Sequence, residues 1–142
     1  MKYYHGSMTE LPVGTILKNE NYEERWGESA FYKILEKYRP ENKISHKEAV
    51  FLCANEDDID CAGGGTEFLF EVLPLDLNKI ERHDVNWSSQ IECLLDEGKD
   101  ENSPEIIKAA ENYWNSVPYE MENVWEYLTP SGNAKIQKVE VY

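Results

Sequence analysis

The sequence lacks the features of several common protein classes. Its 142 residues contain no apolar run long enough to cross a bilayer and no leader in which a charged segment precedes an apolar one. The three cysteines, Cys53, Cys61 and Cys93, are widely spaced and form no CxxC pair, so a disulfide framework is not expected. We therefore expect a soluble protein of the reducing cytoplasm.

Two nucleotide-binding patterns and the common metal-site patterns are also missing. No GxGxxG follows a predicted strand, there is no GxxxxGK[ST], and no phosphate-binding helix follows the segment Gly63-Gly64-Gly65. The acidic run 56–60 lacks the glycine and the distal glutamate of an EF-hand loop. The histidines and cysteines do not show zinc-site spacing. A Rossmann site, a P-loop and a metal site are therefore not predicted.

Basic residues are scarce in the second part of the chain. Residues 51–142 contain six Lys and Arg against twenty Asp and Glu, whereas residues 1–50 contain eight of each, and the net charge is −14. Such a surface repels phosphate backbones, so direct nucleic-acid binding is not expected. The charge is compatible with a basic protein partner, with mimicry of a nucleic acid, or with solubility alone.

The residues that are present suffice for one folded domain, spanning 1–142. Hydrophobic residues make up 41% of the chain and aromatic residues 12%, enough to build a core. Periodicity and capping residues predict helices over 29–38, 88–97 and 103–115, and strands over 3–7, 49–54, 67–73, 123–129 and 134–142. Strands outnumber helices and do not alternate strictly with them. The sequence therefore predicts an α+β fold with mainly antiparallel sheets.

Three segments carry the residues that indicate a chemistry. The first is Tyr4-His5-Gly6-Ser7, followed by the apolar segment 13–17; the second is 49–54 (AVFLCA); the third is 124–130 (VWEYLTP), followed by residues 134–136. In this order they resemble the three motifs of the ADP-ribosyltransferase superfamily. The branch they resemble uses a histidine, an aromatic residue and an acid, as in diphtheria-toxin/PARP-like and rifampin ADP-ribosyltransferase-like domains.

The resemblance implies a fold, a cofactor and a reaction. The fold would consist of two packed, mainly antiparallel sheets with peripheral helices and an NAD cleft between the sheets. The reaction would be transfer of ADP-ribose from NAD, as co-substrate, to an acceptor, with release of nicotinamide. The acceptor could be a protein side chain, a nucleic-acid base or a small molecule, and the acidic second part of the chain favours a basic protein.

The resemblance also implies roles for five residues. His5 would bind a ribose hydroxyl of NAD, the main chain of Gly6 would bind the nicotinamide carboxamide, and Ser7 would support the site. Phe51 would stack on the nicotinamide ring. Glu126 would bind the ribose next to nicotinamide and stabilise the cation that forms as nicotinamide leaves, as a carboxylate does in glycoside cleavage. His5 and Glu126 are thus the expected catalytic residues.

The chain departs from the family pattern at several positions. Phe51 stands where a tyrosine is usual, which leaves stacking as its role. Val124 stands where the arginine-modifying branch has a second acid, so modification of arginine is not expected. Glu120 or Glu122 replaces Glu126 as the acid if the register is shifted. The candidate cations for the NAD pyrophosphate are Arg25, Lys33 and Arg39.

Each of these assignments has a structural alternative. Phe51 could be an ordinary core residue, and Glu126 an ordinary solvent-facing strand residue on the opposite face from Trp125 and Tyr127. The alternative for the whole chain is a non-enzymatic acidic binding protein or inhibitor that mimics nucleic acid and occupies a basic partner surface.

Overall fold

The computed structural model describes residues 1–19, 29–58, 67–120 and 122–140. Within these ranges the chain forms six strands and three α-helices. In chain order they are β1 (Tyr3–Ser7), α1 (Ala30–Lys37), β2 (Ala49–Leu52), β3 (Phe68–Pro74), β4 (Glu81–Asp84), α2 (Asn86–Asp96), α3 (Pro104–Trp114), β5 (Trp125–Pro130) and β6 (Ala134–Glu140). Arg25 and Gly63-Gly64-Gly65 lie outside the described residues.

The strands form two antiparallel sheets, which confirms the α+β prediction. The outer sheet has the strand order β1-β3-β6, and the central sheet has the order β2-β5-β4. The two sheets meet where β1 runs beside the end of β2. There Tyr4 and Cys53 each donate a backbone N–H to the other's carbonyl oxygen, at 2.7 and 2.9 Å.

The central sheet has a different apolar neighbour on each face, because side chains alternate along a strand. In β2, Val50 and Leu52 point toward the outer sheet and pack with Phe70 and Ile136 of β3 and β6. Phe51 points the other way, into the helix layer. The order of layers is therefore outer sheet, central sheet, helices. An NAD cleft between the sheets cannot lie along their contact, because apolar side chains fill it.

The helices cover the central sheet with one apolar face each. In α3, Pro104 occupies the first turn, and Ile106, Ala109 and Tyr113 recur at helical spacing on the buried side. The Trp114 indole N–H donates to the Leu35 carbonyl of α1 at 2.8 Å, which ties two helices together. None of the helices in the described part of the chain has the length and apolar character needed to cross a membrane.

Strand β4 was missed by the sequence prediction because all four of its residues, Glu81 to Asp84, are polar. It forms because β5 pairs with it and because residues distant in sequence bind its buried polar side chains. His83 and Asp84 are fully buried. The Asp84 carboxylate accepts backbone N–H groups from Asn86 and Tyr119 at 3.0 and 2.9 Å, and so anchors the loop that leads into β5.

Candidate functional site

The three motif segments, which are far apart in sequence, lie on neighbouring strands. β1 runs beside the end of β2 through the Tyr4–Cys53 pair, and β2 pairs with β5, with Phe51 opposite Leu128. The ring of His5 reaches across this junction, and its Nδ1 lies 2.9 Å from the Phe51 carbonyl oxygen. The first two motifs are therefore in direct contact, and the third is one strand away.

The first motif is held by its main chain and by short-range contacts. A carbonyl oxygen only accepts, so His5 Nδ1 carries the hydrogen, and Nε2 of the neutral ring is an acceptor. Gly6 is buried and pairs with Leu69 of β3. The Ser7 hydroxyl oxygen accepts the backbone N–H of Thr9 at 3.0 Å. The contact with β2 thus fixes the tautomer of His5, and pairing with β3 fixes the backbone of β1.

The Phe51 side chain is a core residue in this structure. It is 6% exposed and packs with the helices, and its ring lies nearly parallel to that of His46, with 5.6 Å between ring centroids. The structural alternative for Phe51 is thus confirmed for its ring, while its carbonyl oxygen holds His5. Stacking on nicotinamide stays a prediction.

Glu126 does not face solvent, so the alternative that it is an ordinary solvent-facing strand residue is wrong. Its side chain is 1% exposed, because the face of β5 opposite Trp125 and Tyr127 is covered by the helix layer. Neither carboxyl oxygen has a well-formed hydrogen bond among the described residues. Burial raises the pKa of Glu126 to about 8, and the nearby Tyr113 hydroxyl opposes this rise only in part. The carboxyl group is therefore mostly protonated at pH 7.

Glu126 belongs to a group of ionisable side chains between the central sheet and the helices, which we call the helix-side polar cluster. Its members are Glu81, His83 and Glu126 of the central sheet, His46 of the segment before β2, and Tyr113 of α3. The Tyr113 hydroxyl lies 2.7 Å from His46 Nε2, and the Tyr113 carbonyl oxygen accepts His83 Nδ1 at 2.7 Å. His83 Nε2 lies 3.1 Å from Glu81 Oε1, which completes a chain of contacts across the cluster.

Burial keeps the centre of this cluster neutral. It lowers the pKa of His46 to about 3, with smaller contributions from His83 and Arg39. It also raises the pKa of Tyr113, and the neighbouring Glu126 acts in the same direction. At pH 7, His46 is therefore an uncharged ring, and Glu126 and Tyr113 both retain their protons.

The sequence prediction missed His46, His83 and Tyr113, three other members of the helix-side polar cluster that contains Glu126. Tyr113 falls on the apolar face of α3, and His46 lies three residues before a buried strand, so the local pattern around each is typical of a packing residue. The one feature that separates this region from ordinary packing is that all four residues of β4 are polar, so that its buried side chain His83 requires polar partners. Nothing in the local pattern indicates that these side chains meet.

The candidate cations and alternative acids lie away from His5. Lys33 is exposed on α1, and Arg39 is near the Ala49 end of β2, whereas His5 contacts Phe51 toward the other end. Glu120 and Glu122 are exposed in the loop before β5. Among the described residues, no group of three or more His, Cys, Asp or Glu is placed to hold a metal ion.

Comparisons of the chain with protein-family models, with curated proteins and with solved structures find no match. The resemblance to ADP-ribosyltransferases therefore stays a prediction that rests on the motif residues.

Proposed function

We propose that this protein has an ADP-ribosyltransferase-like fold and transfers ADP-ribose from NAD to a nucleophilic acceptor, releasing nicotinamide. The observation that carries the proposal is the convergence of three motif strands. Residues 5, 51 and 126 lie on the adjacent strands β1, β2 and β5, although long stretches of chain separate them. The two antiparallel sheets are compatible with this fold.

His5 and Gly6 supply the NAD-binding part of the proposed site. With Nδ1 fixed on the Phe51 carbonyl oxygen, Nε2 of an uncharged His5 ring would accept a ribose hydroxyl. Gly6 has no side chain, so its main chain allows close approach of the carboxamide. The pyrophosphate partner would come from outside this group, and the candidate Arg25 lies outside the described residues.

Glu126 supplies the electrostatic stabilisation in the proposed reaction. When the bond between nicotinamide and the anomeric carbon breaks, the electron pair leaves with nicotinamide and the ribose becomes an oxocarbenium-like cation. The ionised carboxylate stabilises this cation. The acceptor then attacks the anomeric carbon and loses its proton to solvent. Because Tyr113 and the helices cover Glu126, this role requires that NAD binding displace the Tyr113 side chain from it.

Nicotinamide release and thermal stabilisation by NAD test the proposal. We expect the wild-type protein to consume NAD and Glu126→Gln to release nicotinamide at least tenfold more slowly. Glu122→Gln is the matched control, because it makes the same change at an exposed glutamate, and it should retain the wild-type rate. His5→Ala should weaken the stabilisation by NAD.

Three outcomes would contradict the proposal as stated. A wild-type protein that neither binds nor consumes NAD excludes the enzyme. If Glu122→Gln alone loses activity, the catalytic acid lies in the loop before β5 and is not Glu126. Salt-sensitive binding to a basic protein that persists in His5→Ala, without NAD consumption, favours the acidic binding protein instead.

The proposed role of Glu126 also predicts a pH dependence. Only the ionised carboxylate stabilises the cation, and the pKa of Glu126 in the free protein is about 8. We therefore expect kcat/KM for nicotinamide release to rise about tenfold per pH unit below that value and to level off above it. Steady-state rates from pH 6 to 9 measure this. A profile that is already flat at pH 6 would show that Glu126 is not the ionising group.

A further inference from the structure

A second candidate site lies at the opposite end of β2 from His5. It is a cavity of about 600 Å³ beside the turn between β5 and β6. Its apolar lining includes Ile44 and Pro130, and Pro130 pairs with Ala49, the first residue of β2. The cavity is therefore separate from the contact between His5 and Phe51.

The charge around this cavity is opposite in sign to that of the protein. Four of the fourteen Lys and Arg residues line it, namely Lys18, Arg39, Lys43 and Lys47, together with two acids, Glu41 and Glu48. The chain as a whole has a net charge of −14. Within the described part of the chain, neither Lys18 nor Lys43 forms an ion pair. The cavity is thus a local positive region on an acidic protein.

Arg39 is held in one orientation by its own contacts. Its Nε donates to Glu36 Oε1 at 3.1 Å, and its Nη1 donates to the carbonyl oxygens of Pro40 and Lys43 at 3.3 and 2.7 Å. Among the described residues, Nη2 donates to no hydrogen-bond acceptor. A guanidinium fixed in this way retains donors for an anion and loses little side-chain entropy on binding it.

We propose that this cavity binds a small molecule that carries phosphate groups. Several cations around one opening favour a multiply charged anion over a single carboxylate, and the apolar lining at Ile44 and Pro130 accommodates an uncharged part of the same molecule. The inference does not depend on the proposed transferase activity, because neither His5 nor Glu126 lines the cavity. Arg39 is the one described NAD candidate that does, and the His5→Ala test below separates the two sites.

Thermal unfolding with inorganic pyrophosphate, and separately with ADP, tests this site. Sodium chloride at equal ionic strength is the reference, because salt screens the acidic surface in any case. We expect a saturable rise in Tm of at least about 2 °C over that reference. Lys18→Gln combined with Lys43→Gln should weaken the apparent affinity at least tenfold, and Lys99→Gln combined with Lys108→Gln should leave it unchanged.

The outcomes distinguish binding in this cavity from binding elsewhere on the protein. A stronger response to ADP than to pyrophosphate supports a ligand that also uses the apolar lining, and equal responses support a site for the phosphate groups alone. No saturable rise above the sodium chloride reference, or equal weakening in both double variants, overturns the proposal. His5→Ala should retain the response; its loss there would assign the anion to the NAD site instead.

Discussion

The Glu126→Gln variant is expected to keep about 3 kcal/mol of stability that Glu126 costs the wild-type protein between pH 5 and pH 8. The pKa of Glu126 is about 8 in the folded protein, against 4.5 for an ordinary glutamate. Between these values the unfolded chain gives up the proton and the folded protein keeps it. Each pH unit in this window therefore favours unfolding, and the free energy of unfolding falls as pH rises until the folded protein also ionises.

Urea unfolding at a series of pH values measures this effect. From pH 5 to pH 8, the free energy of unfolding of Glu126→Gln should rise by about 3 kcal/mol relative to that of the wild type at the same pH, since His46 affects both proteins equally. Glu122→Gln, at an exposed position, should follow the wild-type curve. Tyr113→Phe should extend the destabilisation by Glu126 to higher pH, because the tyrosine hydroxyl lowers the pKa of Glu126. A difference between Glu126→Gln and the wild type that does not change with pH would show that Glu126 is not the responsible group.

The second large effect is expected at acidic pH, from His46. Its pKa is about 3 in the folded protein, against 6.5 for an ordinary histidine, because its ring is buried. As pH falls below 6.5, the unfolded chain binds a proton that the folded protein excludes, so stability falls. By pH 4 this contribution is about 3 kcal/mol. His46→Gln should remove most of that loss, since its amide is neutral and can reach the Tyr113 hydroxyl.

The same urea series, extended to pH 4, measures the second effect. Imidazole resonances provide an independent readout, with the His46 signal assigned by its absence in His46→Gln. A His46 resonance that titrates near pH 6.5 would contradict the prediction. Together, Glu126 and His46 place the maximum of their combined contribution between about pH 4.5 and 6.5, because Glu126 destabilises the fold increasingly above about pH 4.5 and His46 increasingly below about pH 6.5.

Local patterns predicted several elements well. The aromatic segment Tyr3–Ser7 is β1, the Ser-Pro start at 103–104 begins α3, and the alternating segment after Gly132 is β6. In each case the signal lies within a few residues: alternation for strands, and a capping residue with proline for the helix.

Predictions that depended on a distant neighbour were less successful. The strand Glu81–Asp84 has no apolar alternation, and it forms because β5 pairs with it and loop amides bind Asp84. The solvent-facing alternative for Glu126 followed from the alternation of β5, which does not tell which element covers each face. The helix layer covers the face of β5 that carries Glu126.

Residue order and periodicity were enough to establish the α+β class, the positions of most elements, the acidic charge of the second part of the chain and the order of three motif segments. Packing in three dimensions was needed to show that His5 contacts the Phe51 carbonyl oxygen, and that Glu126 is buried beside Tyr113. The difference arises because periodicity reports which residues share a face, whereas pKa values and contacts depend on what packs against that face.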